Sequence, residues 1–377
     1  MRASGLRSTG SKPGSEVLVP QPIALWAIPV SNIGGVARHV LDMAAVGLPG
    51  WRLVVLCPEG PLATRLRGMG AAVLTGAFGP DAGFRASVST LRTNIRALQP
   101  SVVHAHLAYA DVVAAVATIG TGARYVTTEH GIAADDTVYH GRAWRSQLKA
   151  LLHTARLRRA RAVIAVSEAT KRAMVRKWRP AQDIVVVPNG VDAQEVRSRA
   201  VHSVQVGQSV QSGEGPRILS LSRLSPEKRI PELLLAFSEM RRTHPKATLT
   251  IAGEGPDRED LQARAKELGL EDAVTFPGFV DAGAAMAQVD VVVQLSVWEN
   301  CSYTLLDAIA AGLGVVATPV GGNPEILPDH CLVDASDTAA VAATIAAQAA
   351  AGFRPPSAWL TREDMAERTV SVYERTS

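Results

Sequence analysis

The chain has 377 residues, of which 47% are hydrophobic and 20% charged, a composition that suits two α/β domains and excludes a largely disordered protein. Its 39 Lys and Arg residues exceed its 35 Asp and Glu residues only slightly, and the formal net charge of +4 does not indicate nucleic-acid binding. The three cysteines have neither paired nor zinc-ligand spacing, so we expect a reducing, cytoplasmic environment.

The first half of the chain predicts a parallel sheet. Residues 1–20 are rich in Ser, Gly, Arg and Pro and are predicted to be a disordered tail. Apolar runs suited to buried strands then alternate with segments long enough for crossover helices. The runs are Ile23–Ile28, Leu53–Cys57, Ala71–Leu74, Ser101–His104, Tyr125–Thr128, Ala162–Val166 and Ile184–Val187. We assign residues 21–196 to a first Rossmann-like domain and residues 197–216, rich in Ser, Gln, Val and Gly, to a linker.

The second half repeats this architecture without repeating the sequence. Its helical segments include Pro231–Arg242 and Arg258–Leu268, and we assign residues 217–356 to a second Rossmann-like domain. The predicted strands are Ile218–Leu221, Leu249–Ala252, Val274–Phe276, Val289–Leu295, Gly314–Ala317 and Leu332–Val333.

The carboxyl ends of the strands are where ligands bind in open parallel sheets. The loop after the first strand of the second domain carries Arg223 and Lys228, five positions apart. Arg offers a rigid bidentate fork and Lys a mobile point charge, a combination suited to the two phosphates of a nucleotide diphosphate. Exposed Arg and Lys side chains normally only favour solubility, and it is their position at a strand end that favours phosphate binding.

Glycines at strand ends are weaker candidates. Gly34 and Gly35 lie between the first strand and an apolar-periodic helix, whose N-terminus offers free amides to a phosphate or a sugar oxygen. A tight turn needed only for packing explains them about equally well, because the fingerprint of three spaced glycines is absent. Gly255, in a strand-end loop of the second domain, is a further candidate for ligand binding.

Residues 296–312 combine two acids with the start of a predicted helix. Glu299 lies just before the helix and Asp307 one to two turns inside it, so both carboxylates are placed to accept hydrogen bonds from sugar hydroxyls. Backbone amides at the helix start would face a bound anion. The alternative is that Glu299 is a helix cap and Asp307 a surface acid. The other candidate binding residues here are Asn300, Cys301, Ser302, Tyr303 and Thr304.

His106 and His130 each follow an apolar strand of the first domain. A single histidine in such a place is more often a hydrogen-bonded structural residue than a catalytic one, but two in neighbouring loops favour a shared site. The chain shows no metal-ligand spacing of His, Cys, Asp and Glu and no nucleophile motif built on Ser or Cys. We therefore expect neither a metal nor a cofactor.

Basic residues crowd the stretch 149–179. Such a run is usually a solvated helical face, and the alternative is a surface attracted to anionic lipid headgroups. No uninterrupted apolar run of about 18 residues is present, and the N-terminus lacks the apolar core of a signal peptide, so we expect a cytoplasmic protein, with peripheral contact at the inner face of the membrane as the alternative. The basic residues are Lys149, Arg156, Arg158, Arg159, Arg161, Lys171, Arg172, Arg176, Lys177 and Arg179.

Nine segments, in order along the chain, resemble the retaining GT-B glycosyltransferases of family 4, also called glycosyl transferases group 1. The segments are IGGVARHV, VVHAHLAY, TTEHG, AVSEATK, VVPNGVD, LSRLSPEK, LTIAGEGPDRE, WENCSYTLLDAIAAGLGVVAT and VGGNPEIL. The resemblance runs from about Ile23 to the C-terminus. It implies an α/β fold of the GT-B type, with two facing Rossmann-like domains and a C-terminal helix within residues 357–377, at Trp359–Tyr373, that crosses back to the first domain.

The resemblance also implies roles for individual residues. Arg223 and Lys228 match the pair that holds the donor diphosphate, and Gly35 matches a glycine of the first domain that approaches it. Glu299 matches an acid that contacts hydroxyls of the donor sugar. Asp307 takes the place of a second acid, usually Glu, that binds the ribose; because Asp is one methylene shorter, we expect weaker donor binding.

Two further residues receive roles in the same way. His130 matches a histidine that reaches the transferred sugar near its anomeric carbon, and we place His106 on the acceptor side. Ser302 stands where many family members have Gly or Pro.

The implied activity is metal-independent hexosyl transfer, with retention, from a UDP- or GDP-linked sugar to an acceptor hydroxyl in the synthesis of a cell-surface glycan, a glycolipid or a glycosylated natural product. The acceptor class stays open among glycans, lipid-linked intermediates and small molecules. Two alternatives also stay open: a nucleotide-sugar 2-epimerase with the same architecture, and a non-catalytic protein that binds sugar nucleotides, which the replacement at Asp307 suggests.

Overall fold

The computed structural model describes residues 20–132, 153–198, 215–351 and 359–376. The strands within these ranges form two sheets and are rich in Val, Ile, Leu and Ala, as expected for strands covered on both faces. They are β1 Ile23–Ala27, β2 Arg52–Cys57, β3 Ala72–Thr75, β4 Val102–His106, β5 Arg124–Glu129, β6 Ala162–Ala165, β7 Ile184–Val186, β8 Arg217–Leu221, β9 Thr248–Ala252, β10 Val274–Gly278, β11 Val291–Gln294 and β12 Gly314–Ala317.

Helices connect the strands and cover the sheets. They are α1 Gly35–Val46, α2 Pro61–Gly68, α3 Phe84–Leu98, α4 Ala108–Ala117, α5 Glu168–Trp178, α6 Ile230–Arg241, α7 Arg258–Glu267, α8 Ala282–Met286, α9 Tyr303–Ala310, α10 Asn323–Ile326, α11 Thr338–Ala350 and α12 Arg362–Arg375. Short 3-10 turns lie at Pro80–Ala82, Pro226–Lys228 and Asp329–Cys331.

Both sheets are parallel and doubly wound. The first has seven strands in the order β3-β2-β1-β4-β5-β6-β7, and the second has five in the order β10-β9-β8-β11-β12. The strand order reverses between β1 and β4 in the first sheet and between β8 and β11 in the second. Loops diverge at such a reversal and leave a crevice beyond the strand ends, so each sheet has its ligand-binding crevice there. The predicted α/β class with two Rossmann-like halves is confirmed.

The last helix, α12, packs against the first sheet although it follows the second in the chain. Met365 and Tyr373 belong to the apolar core that also contains Trp26. The Tyr373 hydroxyl accepts a hydrogen bond from Trp26 Nε1 at 2.9 Å and lies 2.6 Å from Nδ1 of His104. Because these side chains are buried, their mutual hydrogen bonds satisfy groups that would otherwise be costly to bury.

Most predicted bounds differ from the observed ones by one or two residues, and differences at the last predicted strand and at two helices are described here. Residues Leu332–Val333 form no strand, and Leu332 makes a single bridge to Ala317 directly after a 3-10 turn. The last helix begins at Arg362 and not at Trp359, because the Thr361 side chain caps it in a capping box with Asp364. Helix α6 begins one residue early, at Ile230.

The domain boundaries stay a prediction. The expected tail, apart from residue 20, and residues 199–214 of the expected linker lie outside the described residues.

The basic stretch is not one solvated face. Arg156 is buried, donates to Glu129 Oε2 at 2.7 Å and also pairs with Asp111, so it cannot belong to a lipid-facing surface. Arg158, Arg159, Arg172 and other members are exposed, and Lys149 lies outside the described residues. Among the helices of the described residues, none has the length and apolar character needed to cross a membrane.

Candidate active site

Lys228 and Glu299 meet at the strand-order reversal of the second sheet. Lys228 ends the 3-10 turn after β8, and Glu299 lies in the loop after β11. The Lys228 Nζ donates to Glu299 Oε1 at 2.5 Å and to Ser296 Oγ at 3.3 Å. The Ser296 hydroxyl in turn donates to Glu299 Oε1 at 2.8 Å. The predicted cation and the predicted acid therefore share one site, although 71 positions separate them.

Arg223 lies in the loop that leads from β8 to Lys228. Its side chain is 66% exposed, and its Nη2 lies 3.4 Å from Oε1 of Glu227. Glu227 is itself buried and accepts a 2.7 Å hydrogen bond from Ser225. This loop rests on Gly255, where an added Cβ would overlap the backbone of Leu224. Close packing thus explains the glycine at 255, and its contact with a nucleotide stays a prediction.

The loop that carries Glu299 is held in place by glycines and by a helix cap. At Gly321, whose φ is 54°, a Cβ would overlap the carbonyl of Glu299, so this backbone approach requires glycine. Ser302 caps α9, its Oγ accepting from Leu305 N at 3.4 Å. The helix therefore begins at Tyr303, and its first amides point toward the loop, in the position expected for binding an anion.

Asp307 contacts the first domain. Its carboxylate accepts from Nη1 and Nη2 of Arg38 at 3.2 and 3.4 Å. Arg38 also donates from Nε to Asp42 at 2.7 Å, and its guanidinium lies 5.1 Å from the ring centroid of Tyr303. Burial raises the pKa of Asp42 to about 6, although Arg38 opposes that shift. Arg38 lies in the first turns of α1, just after Gly34.

Arg38 and His39 are site residues that the sequence motifs did not predict. The available signal was a group of three polar residues, Arg38, His39 and Asp42, in a largely apolar helix that directly follows the two glycines. Asp307, interpreted as a ribose-binding acid, is thus held by an interdomain ion pair.

Three histidines of the first domain lie together beside this region. His106 Nδ1 and His130 Nε2 are 2.8 Å apart, so one donates to the other. His39 Nδ1 lies 3.2 Å from Oδ1 of Asn189, and Asn189 Nδ2 donates to the carbonyl of Cys301 at 2.8 Å. Because that Oδ1 is an acceptor, Nδ1 of His39 carries the proton. The predicted neighbourhood of His106 and His130 is observed, and His39 completes it.

Burial keeps these imidazoles neutral. It lowers the pKa of His39 to about 4 and the pKa values of His106 and His130 well below their usual range. At neutral pH each ring therefore offers one N–H donor and one lone pair.

The same cluster has the geometry of a metal-binding group. One ring nitrogen from each of His39, His106 and His130 lies within 4.8 Å of the others, and neutral imidazole is a common ligand of transition metals. Sequence spacing could not reveal it, because the three residues come from separate elements. The absence of a metal stays a prediction. Leu107, next to His106, has φ 72°, a strained conformation of the kind often found at functional sites.

A cavity of about 400 Å³ opens between helix α5 of the first domain and the Glu299 loop of the second. No local pattern in the sequence predicts this cavity, since its walls come from distant parts of the chain. Among the described residues it is lined by Ile132, Ala169, Thr170, Arg172, Ala173, Arg176, Lys177, Val297, Trp298, Glu299, Asn300, Val320 and Gly321.

Two family descriptions match consecutive parts of the chain. "Glycosyltransferase Family 4" matches residues 33–195, and "Glycosyl transferases group 1" matches residues 205–349. The chain is a GT-B glycosyltransferase of the family 4 type. The 2-deoxystreptamine glucosyltransferase of Streptomyces kanamyceticus is 29% identical to this glycosyltransferase over 76% of the chain and 78% of the relative. A glycogen synthase of Mycobacterium tuberculosis is 28% identical over 80% of the chain and 78% of that protein.

Solved structures show the same fold. The HepE protein of Anabaena, solved with UDP and glucose, superposes with a TM-score of 0.76 at 22% identity over 94% of the chain and all of that protein. The sucrose-phosphate synthase of Thermosynechococcus elongatus superposes with a TM-score of 0.72 at 18% identity, over 94% and 99% of the two chains. The glycosyltransferase thus has the two-domain α/β architecture of these proteins.

Proposed function

We propose that this glycosyltransferase moves a hexose from a UDP- or GDP-linked donor to an acceptor hydroxyl with retention of configuration and without a metal ion, in glycan, glycolipid or natural-product synthesis. The observation that carries the proposal is the contact of Lys228 with Glu299 at the strand-order reversal. In this contact Lys228, the cation proposed to bind phosphate, lies beside Glu299, the acid proposed to bind sugar hydroxyls. Because HepE was solved with UDP and with UDP-glucose, a UDP-linked sugar is the first donor to test.

The donor diphosphate would lie among cations and backbone amides of the second domain, facing the glycines at the start of α1. Lys228 has three N–H donors and can keep Glu299 while it reaches a phosphate oxygen. Arg223 supplies a second cation, and the first amides of α9, at Tyr303 and Thr304, supply neutral donors. Gly34 and Gly35, at the start of α1, leave space for the backbone to approach. These groups would stabilise the charge that develops on the leaving diphosphate, a contribution that is often the largest in catalysis.

The transfer step then needs no enzymic nucleophile. The bond between the anomeric carbon and the diphosphate oxygen breaks, and the acceptor oxygen bonds to the same face of that carbon. A diphosphate oxygen takes the acceptor proton. In this proposal neutral His130 would donate or accept a hydrogen bond near the anomeric carbon, His106 would lie on the acceptor side, and Asp307 would contact the ribose.

Two alternatives are not favoured by the comparisons. A 2-epimerase would produce epimerised donor without an acceptor, and a non-catalytic binding protein would leave the donor intact. The relatives reported above are named as transferases or synthases. We also propose that the enzyme acts in the cytoplasm.

The variant Arg223→Ala tests the diphosphate site. Because the Arg223 side chain is 66% exposed, the fold should survive, while the loss of one cation should lower transfer at least about 100-fold. Arg242→Ala removes an exposed Arg elsewhere in the same domain and serves as the control. Transfer from UDP-glucose and GDP-mannose is followed by nucleoside diphosphate release in buffer with EDTA. The anomeric configuration of the product is read by NMR.

Three results would contradict parts of this proposal. Wild-type rates in Arg223→Ala would remove the proposed diphosphate site. Activity lost in EDTA and restored by a metal would show that a metal takes part, and inverted product would exclude retention.

A further inference from the structure

The 400 Å³ cavity beside Glu299 has the position of an acceptor site. Glu299 lines it, and the proposed function places the donor sugar against Glu299. Trp298 and Val297 form the wall next to Glu299, and helix α5 of the first domain forms the opposite wall. A molecule in the cavity would therefore meet the donor sugar from the first-domain side. The inference rests on the proposed function for this placement.

Two arginines give the α5 wall its charge. Arg172 and Arg176 are four residues apart, so both side chains extend from the same face of the helix into the lining. Arg172 is 60% exposed, and its nearest acidic atom is Oε1 of Glu325 at 3.8 Å. In the part of the chain that the structure describes, Arg176 has no acidic side chain within ion-pair distance.

The acids near this wall are already engaged. The Glu325 carboxylate accepts from the backbone N–H groups of Glu168 and Ala169, at 2.9 and 2.7 Å, and so caps α5. Glu299 is bound by Lys228 at 2.5 Å. Glu299 is the one acid among the described lining residues, against the two arginines. The cavity consequently carries an excess of positive charge.

The rest of the lining suits a compact, partly apolar group. Ala169, Ala173 and Ile132 face Val297 and Trp298, and the indole N–H of Trp298 has no hydrogen-bond partner among the described residues. A tryptophan face packs well against the C–H groups of a sugar or a glycerol unit. A neutral acceptor would use these surfaces but would gain nothing from the two guanidinium groups.

We propose that the acceptor of this glycosyltransferase carries a phosphate group, which Arg172 and Arg176 bind while Trp298 packs against the unit that bears the attacking hydroxyl. Arginine pairs with phosphate through charge-assisted, often bidentate, hydrogen bonds. An acceptor with an ammonium group in the same place is disfavoured by like-charge repulsion. The phosphate belongs either to a soluble sugar or polyol phosphate or to a lipid headgroup.

The test compares probes that differ only by a phosphate. Binding to the full chain loaded with UDP is measured by calorimetry for glucose 6-phosphate against glucose and for glycerol 3-phosphate against glycerol. Co-sedimentation is measured with vesicles that contain phosphatidylglycerol or diacylglycerol. A preference in the soluble pairs identifies a soluble phosphate, and a preference only in vesicles identifies a lipid headgroup.

Two double variants separate the cavity from general basicity. Arg172→Ala with Arg176→Ala should weaken binding of the preferred phosphate probe about tenfold or more, because each arginine makes a hydrogen bond to a charged group. Arg158→Ala with Arg159→Ala removes the same charge from exposed positions of the basic stretch outside the cavity lining and should change binding less than about twofold.

The possible results decide the inference separately from the proposed function. It is overturned if no pair shows a preference for its phosphate member, or if both double variants weaken binding equally. UDP-glucose binding to the wild type is measured in parallel. If UDP-glucose binds but phosphate makes no difference, the proposed function stands and this inference falls; if no sugar nucleotide binds, the proposed function itself fails.

Discussion

At the scale of single residues, Lys228 and Glu299 are held very differently from Arg223. The side chains of Lys228 and Glu299 are only 18% and 13% exposed, so each charge depends on the other for compensation. Removing one partner leaves an uncompensated charge with little access to water, which is destabilising in itself. A loss of activity in a Lys228 variant would thus combine stability with catalysis. Arg223 is exposed and lies 3.4 Å from Glu227, which Ser225 also binds, so its replacement should disturb the fold less than a replacement of Lys228.

The buried histidines make stability depend on pH. The folded-state pKa of His39 is about 4, against about 6.5 when unfolded, and those of His104, His106 and His130 are also lowered by burial. Between these values the unfolded chain binds protons that the folded protein does not, so the free energy of unfolding falls as pH falls from about 6.5 to 4. His39 alone contributes about 3 kcal/mol over this window. Denaturant unfolding at several pH values measures the slope.

His39→Gln is the matched variant for that measurement. It removes one titrating group and should flatten the slope by about one proton between pH 6.5 and 4. Asp42, whose pKa burial raises to about 6, contributes with the opposite sign and is unchanged by this variant. An unaltered slope would show that the pKa of His39 is the same in the folded and the unfolded protein.

At the scale of elements, helix α12 ties the end of the chain to the first domain. Its apolar face, with Met365 and Tyr373, belongs to the core of the first sheet. Arg362 in its first turn pairs with Asp192 at 2.9 Å and with Glu195 at 2.6 Å, near the end of the first half. All of these partners precede residue 197, so the helix anchors the C-terminal end of the chain to the first half.

The capping box of α12 can be weakened at one position. Thr361→Ala removes the side chain that accepts from Asp364 N at 3.1 Å, and we expect a loss of about 1 kcal/mol in the free energy of unfolding. Chemical denaturation measures it. Glu367→Ala, at an exposed interior position of the same helix, is the control and should be near neutral. Equal effects of the two variants would argue against a stabilising cap.

At the scale of the whole molecule, the two domains are joined by polar contacts. Asn300 Oδ1 accepts from Thr170 Oγ1 at 2.9 Å and from Ile132 N at 3.3 Å. The ion pair of Arg38 with Asp307 adds a contact beside the start of α1. Polar interfaces of this kind permit relative domain motion, which a donor site that excludes water requires.

Arg38→Leu should favour the open arrangement of the domains. A partly buried ion pair contributes about 1 kcal/mol, so its loss should shift the equilibrium between closed and open domain arrangements about fivefold toward the open one. The radius of gyration, measured by small-angle X-ray scattering without donor, should increase. Arg67→Leu, which breaks an exposed pair with Glu59 inside the first domain, is the control. No difference between the variants would mean that the pair does not restrain the domains.

The sequence by itself determined the alternation of strands and helices, and with it the α/β class and the loops in which a ligand site had to lie. Lys228, Glu299 and the pair His106 and His130 could be found in this way, because the period of a buried strand and the chemistry at its end are local properties. Only the tertiary structure decided which of these groups touch. Arg38 binds Asp307 across 269 positions, and the walls of the basic cavity come from both domains. Such contacts depend on how two separately formed sheets face each other, and no local pattern of residues encodes that arrangement.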